Sequence, residues 1–195
     1  MQINTVKEIT YGRTRCYLIN DIVLVDTDWA GTLQKFLRCI KVNNIELKNV
    51  KFLFITHFHP DHMGIAQELA AFGIKIIVFD VQKEYIHWPD AIFAKDKICN
   101  FKCIDENNVQ IVSCSESRNF LKELGISGQV IHIPGHSDDS ISIILDEGIA
   151  IVGDLPPLYS VPAYNDEILE RSWNKILSFN PHKVYYGHAK EDIIY

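Results

Sequence analysis

The chain has 195 residues, 47% of them apolar and 23% charged, and a formal charge of −6. This is enough chain for one domain with a sizeable core, and the acidic balance argues against a nucleic-acid surface, which shows as a basic patch. No apolar run approaches the roughly 18 residues that suggest a membrane helix. The N-terminus has no basic stretch leading into an apolar one, so the expected compartment is the cytoplasm. The five cysteines (Cys16, Cys39, Cys99, Cys103 and Cys114) are scattered and form no Cys-x-x-Cys pair, which points to reduced thiols and not to a disulfide framework.

In chain order, Val6 to Ile9, Cys16 to Ile19 and Ile22 to Val25 have strand character, with Gly12 and Asn20-Asp21 supplying the turns. Thr32 to Ile40 has helical spacing, with Leu33, Phe36, Leu37 and Ile40 forming an apolar stripe. Val50 to Ile55 reads as a buried strand, and a helix is expected from about Met63 to Phe72, closed by Gly73. Ile74 to Phe79 is a further β-branched strand. Asp80 to Arg118 mixes Tyr85, Trp88, Phe93 and Phe101 with charges and has weak periodicity, so it is expected to be a small helical insertion, a lid or an interface. Strand patterns return at Gln129 to Ile133, Ser140 to Leu145 and Ile149 to Val152. A helix over Asp166 to Leu177 and a strand over Lys183 to Tyr186 follow. The expectation is a single mixed α/β domain over residues 1–195, with 80–118 as its insertion.

The chemistry concentrates at Thr56-His57-Phe58-His59-Pro60-Asp61-His62, which follows the buried strand. His57 and His59 are two apart and so share a face. Pro60 bends the chain and sets Asp61 and His62 at a strand-to-helix corner. Imidazole nitrogens and carboxylate oxygens are ligands that zinc and iron accept. Further candidates end three predicted strands, each directly after a glycine: His136 after Gly135, Asp154 after Gly153 and His188 after Gly187. His87, His132 and His182 fall outside this pattern, and Cys99 and Cys103 lack a second thiol pair.

With these residues in this order, the chain resembles the metallo-β-lactamase superfamily, from about Asp26 to His188. The resemblance implies a four-layered αβ/βα sandwich. It also implies two divalent metal ions, most commonly zinc, with iron or manganese as alternatives. One ion would be held by His57, His59 and His136, the other by Asp61, His62 and His188, with Asp154 bridging and with Asp61 and Asp154 as the catalytic carboxylates. Leu24-Val25-Asp26-Thr27-Asp28 resembles the family's early Asp-Thr-Gly, with Asp28 where glycine is common. Asp26 would then support the site, or else serve as a turn carboxylate. The implied activity is hydrolysis of a small ester, thioester, lactone or phosphoester by a metal-bridged hydroxide. The alternative is a mononuclear iron oxidoreductase of the persulfide dioxygenase type. The expected partner is a small-molecule substrate, with no nucleic acid and no membrane. The Pro156 to Tyr159 loop and part of 80–118 are expected to bound the substrate pocket, with Tyr159 and Trp88 as the side chains to watch.

Overall fold

The structure, a computed structural model, describes residues 3–96 and 98–194; Met1, Gln2, Tyr195 and, inside the expected insertion, Lys97 lie outside the described residues. The chain forms two compact units, an N-terminal one over Thr5–Val112 and a C-terminal one made of Ser113 onward together with the residues up to Asn4. No helix among the described residues is long and apolar enough to cross a membrane.

In the N-terminal unit the described strands are β1 (Val6–Thr10), β2 (Arg15–Ile19), β3 (Val23–Val25), β4 (Phe52–Phe54), β5 (Lys75–Phe79) and β6 (Val109–Val112), hydrogen-bonded in that order. The first three pair antiparallel, β2 and β3 being joined through Asn20 and Asp21, whose φ values of 51° and 58° suit the short polar side chains found there. From β3 onward the pairing is parallel. The ends of β3 and β4 therefore emerge side by side, where parallel sheets collect their sites. Helix α1 (Leu33–Val42) buries Phe36 and Ile40 in the same cluster as Leu24, Leu53 and Ile76. Their spacing of four puts both on one face.

The expected helix from Met63 to Phe72 is instead two short ones, α2 (Pro60–Met63) and α3 (Ala66–Ala70). Gly64, between them, lies against the backbone of Trp29 and Ala30: a Cβ there would collide with the Ala30 nitrogen and stand 2.5 Å from the Trp29 carbonyl carbon. Gly64 keeps helical angles and the departure falls at Ile65, with φ −114° and ψ 15°, beside this close approach. Gly64→Ala should therefore destabilise the protein by about 3 kcal/mol, the upper part of the overpacking range. A urea midpoint equal to that of the wild type would show that the loop yields freely.

The aromatic middle segment belongs to this unit up to Val112. Within it, helix α4 (Asp90–Phe93) places Phe93 edge-on to Trp29, with ring centroids 5.0 Å apart, and stacked on Phe101 at 4.1 Å. Phe93, Tyr85 and Phe101 thus join the unit's main cluster.

In the C-terminal unit, α5 (Ser117–Glu123) precedes β7 (Gly128–His132), β8 (Ile141–Leu145) and β9 (Ile149–Ile151). Then come the one-turn helix α6 (Val161–Tyr164), α7 (Glu167–Leu177), β10 (Lys183–Tyr185) and β11 (Asp192–Ile193). The sheet order is β11-β10-β9-β8-β7, with β9 and β10 parallel and the other pairs antiparallel. Since β7 and β9 both run opposite to β8, the ends of β7, β9 and β10 fall on one edge. Helix α7 is capped by Asp166, whose carboxylate accepts from the Ile168 and Leu169 amides. It buries Leu169, Trp173 and Ile176 with Ile131, Ala150 and Val184 of the sheet.

Candidate metal centre

Each unit gathers its own share of the sequence-predicted ligands. In the N-terminal unit, β4 runs into Thr56-His57, and the turn to α2 supplies His59, Asp61 and His62. Pro60 at the first helical position needs no amide partner, so the corner forms without loss. The imidazoles of His57 and His59 lie 4.4 Å apart between ring centroids, and those of His57 and His62 lie 4.2 Å apart. Ligand atoms of His57 and His59, of His57 and His62, and of Asp61 and His62 each approach within 4.8 Å.

Buried Asp26 holds this group together. It follows β3 with φ 61°, a left-handed conformation that aspartate tolerates. Its carboxylate accepts from the Thr56 amide at 2.7 Å, from Thr56 Oγ1 at 2.7 Å and from His62 Nδ1 at 2.9 Å. A carboxylate only accepts, so His62 carries its proton on Nδ1 and its lone pair on Nε2, the nitrogen that could ligate a metal. The Thr56 hydroxyl spends its proton on Asp26, so at 3.2 Å from His57 Nδ1 it accepts, which sets the second ring the same way. Outer partners that fix imidazole tautomers are what a metal site requires. Of the two readings of Asp26, these bonds favour support of the site.

Two residues that sequence reasoning missed, Gln82 and Thr14, steady the same corner, as does Asp28, which it noted only as a departure from the family's glycine. Buried Gln82 donates to the carbonyls of Ile55 at 2.8 Å and Thr56 at 3.3 Å and accepts from the Phe79 amide, which pins the strand end before His57. Buried Thr14 donates from its hydroxyl to the Asp61 carbonyl at 2.7 Å. Asp28, standing where the family commonly has glycine, accepts from the Arg13, Thr14 and Trp29 amides and so ties the β1–β2 turn to this loop. No local sequence signal marks Gln82 or Thr14. Trp88, half exposed, lies against the His59 ring at 5.1 Å.

In the C-terminal unit, the loops after β7, β9 and β10 bring His136, Asp154 and His188 to one edge of the sheet. Asp154 Oδ2 stands 3.7 Å from His136 Nε2 and 3.4 Å from His188 Nε2, between the two rings. Gly135 and Gly153, with φ of 137° and 60°, make the sharp turns that present His136 and Asp154. The Gly187 amide donates to the Gly153 carbonyl at 2.7 Å and locks the Asp154 and His188 loops together. Beside His136, the Ser137 hydroxyl pairs with that of Ser140 at 2.7 Å, and the Asp138 carbonyl accepts from His132 at 2.7 Å. These three candidate ligands line a cavity of about 360 Å³ together with Pro156 and Pro157. The loop expected to bound a pocket does so, but through its prolines: Tyr159 is 80% exposed and is not part of the lining, whereas Tyr164 is.

The five cysteines are free thiols. Burial and neighbouring Asp26 and Asp28 raise the Cys16 pKa well above the ordinary thiol range, so it is a packed, protonated group. The Cys103 thiol is also raised, by desolvation first and by Asp90 next, so it is a weaker thiolate ligand at neutral pH than an ordinary thiol.

A sequence profile of the metallo-β-lactamase superfamily matches residues 9–188. A β-lactamase-like protein 2 homolog of Drosophila melanogaster is 24% identical over 186 residues, an alignment covering 93% of this chain and 60% of that protein. A protein named as a probable metallo-hydrolase of Methanocaldococcus jannaschii is 25% identical over 181 residues, covering 86% of this chain and 82% of that one. The solved structure of a metallo-β-lactamase family protein from Thermus thermophilus superposes with a TM-score of 0.68 at 17% identity, covering 97% of this chain and 74% of that chain, a likeness that shows the fold. The chain thus spans less than two thirds of the Drosophila relative.

Proposed function

Because the chain belongs to the metallo-β-lactamase superfamily, we propose that it is a metal-dependent hydrolase of a small ester, thioester, lactone or phosphoester. The observation that carries this reading is Asp154 set between His136 and His188 at the wall of a small cavity. The donor set fits zinc and its neighbours, being all imidazole and carboxylate with the tautomers of His57 and His62 already fixed. In this reading His57, His59 and His136 would hold one ion and Asp61, His62 and His188 the other, with Asp154 the carboxylate that both would share. Two such ions would supply water activated at neutral pH and a Lewis acid for the substrate oxygen.

The chain's own residues have separate tasks. Asp26 and Thr56 keep the two rings in the ligating tautomer, and Gln82 fixes the strand end from which His57 projects. Asp154 would supply the negative charge that offsets the repulsion of two neighbouring cations.

The test is a panel of p-nitrophenyl esters, thioesters, lactones and phosphodiesters before and after chelation. We expect turnover of at least one class, lost with chelator and restored by zinc or manganese. Silence across the panel, together with oxygen consumption on a persulfide substrate in the presence of iron, would replace this reading with the dioxygenase one.

A further inference from the structure

We infer that the cavity of the C-terminal unit selects an uncharged substrate bearing a flat aromatic acyl group, with Tyr164 as the wall that determines this specificity. The inference rests on the hydrolase reading and narrows its substrate class.

At about 360 Å³ the cavity is near the lower end of small-ligand sites. Apart from His136, Asp154 and His188, its lining is apolar or aromatic, with Leu155, Pro156, Pro157 and Tyr164 the main surfaces. No lysine or arginine is among the described lining residues. A phosphate or carboxylate on the substrate, beyond the reacting group, would therefore be desolvated without a cationic side chain to meet it. It would also face the like charge of Asp154. A flat ring, by contrast, finds two prolines and the Tyr164 ring.

The wall is built rigid. The Trp173 indole donates to the Pro156 carbonyl at 2.9 Å, and the Pro157 carbonyl accepts from the Ser160 amide at 2.8 Å and hydroxyl at 2.7 Å. The Tyr186 hydroxyl is committed to Asp192 at 2.9 Å and its ring is buried in the apolar cluster, so Tyr164 is the aromatic surface open to a ligand among the described lining residues. Tyr164 ends a one-turn helix that has Pro162 as its second residue and is closed by Asn165 in the left-handed region. It is 57% exposed while lining the cavity, so a ligand can still cover it. A preformed wall with an uncovered aromatic face costs little ordering on binding.

The reaction expected is hydrolysis: the water oxygen bonds to the acyl carbon, the bond from that carbon to the leaving oxygen breaks, and the leaving oxygen takes the proton. The experiment compares p-nitrophenyl benzoate, p-nitrophenyl acetate and the monoanionic p-nitrophenyl succinate on zinc-loaded protein, each rate divided by spontaneous hydrolysis in the same buffer. Benzoate should rank first and succinate last. Tyr164→Ala should cut the benzoate-to-acetate ratio about fivefold through KM, within the range of aromatic pair energies, while Tyr164→Phe keeps it. In parallel, saturation-transfer NMR on the full chain as purified should show benzamide contacts that Tyr164→Ala loses and that benzoate anion makes more weakly. A succinate preference, or a Tyr164→Ala protein with unchanged ratio and unchanged benzamide signal, overturns the inference. If none of the three esters is hydrolysed, the benzamide arm alone decides the cavity's preference, and the wider panel of thioesters, lactones and phosphodiesters decides the hydrolase reading separately.

Discussion

Asp154→Ala is expected to lose hydrolysis by more than about 100-fold, beyond the 10- to 100-fold typical of losing an outer partner of a metal ligand. The carboxylate lies within 4 Å of two imidazoles and carries the only formal negative charge among the described residues of that cavity's lining. Without it, two cations would face neutral imidazoles and each other, and their repulsion would no longer be offset. Asp154→Asn, which keeps the shape and removes the charge, should fall nearly as far. Far-UV circular dichroism of both variants should match the wild type, because the side chain closes no core contact. The decisive comparison is metal content after dialysis: both variants should retain less zinc per chain. Wild-type turnover with full metal content in Asp154→Ala would remove this residue from the site.

Asp26→Ala should be the most damaging single change to stability. Three donors converge on this buried carboxylate: the Thr56 amide, the Thr56 hydroxyl and His62 Nδ1. Truncation strands all three, and breaking such a buried arrangement costs about 3–5 kcal/mol. It also frees the His62 ring to turn and the Thr56 hydroxyl to reorient, so zinc affinity should fall by about 10- to 100-fold. Asp26→Gly separates the effects. Glycine accepts φ 61° without strain, so any stability lost in that variant beyond its added chain entropy belongs to the carboxylate. Urea unfolding of the metal-free proteins measures the first effect and zinc competition with a chromogenic chelator the second. Wild-type values for both variants would mean that Asp26 is a turn residue only.

Much of this was legible in the sequence wherever the determinant is local. The β-branched runs and the four-residue spacing of Phe36 and Ile40 mark strands and helix α1. His57 to His62 stand out because their residue types serve a core so poorly, and His136, Asp154 and His188 each follow a glycine that ends a strand. The superfamily and the mixed α/β class followed from these residues, and the profile match and the structural likeness bear them out. What was not legible is long-range. Asp26 meets Thr56 and His62 across separations of 30 and 36 residues, and Gln82 reaches the Ile55 carbonyl across 27. No periodicity carries such pairings. The helical pattern is continuous through Gly64, yet the helix is interrupted at Ile65, where the chain passes too close to Trp29 and Ala30 for Gly64 to carry a side chain. Tyr159 and Tyr164 look equivalent in sequence, yet the one-turn helix between the prolines and α7 leaves the first in solvent and puts the second in the cavity wall.

Metal stoichiometry tests most directly whether this chain holds two divalent ions through His57, His59, Asp61, His62, His136, Asp154 and His188. The measurement is inductively coupled plasma mass spectrometry on protein purified without chelator, with metal and chain quantified in the same sample. Two divalent ions per chain are expected, zinc foremost, both lost on mild chelation and recovered on adding zinc back. A single tightly held iron with no second metal, or no metal retained even after zinc is supplied, would contradict the proposed centre.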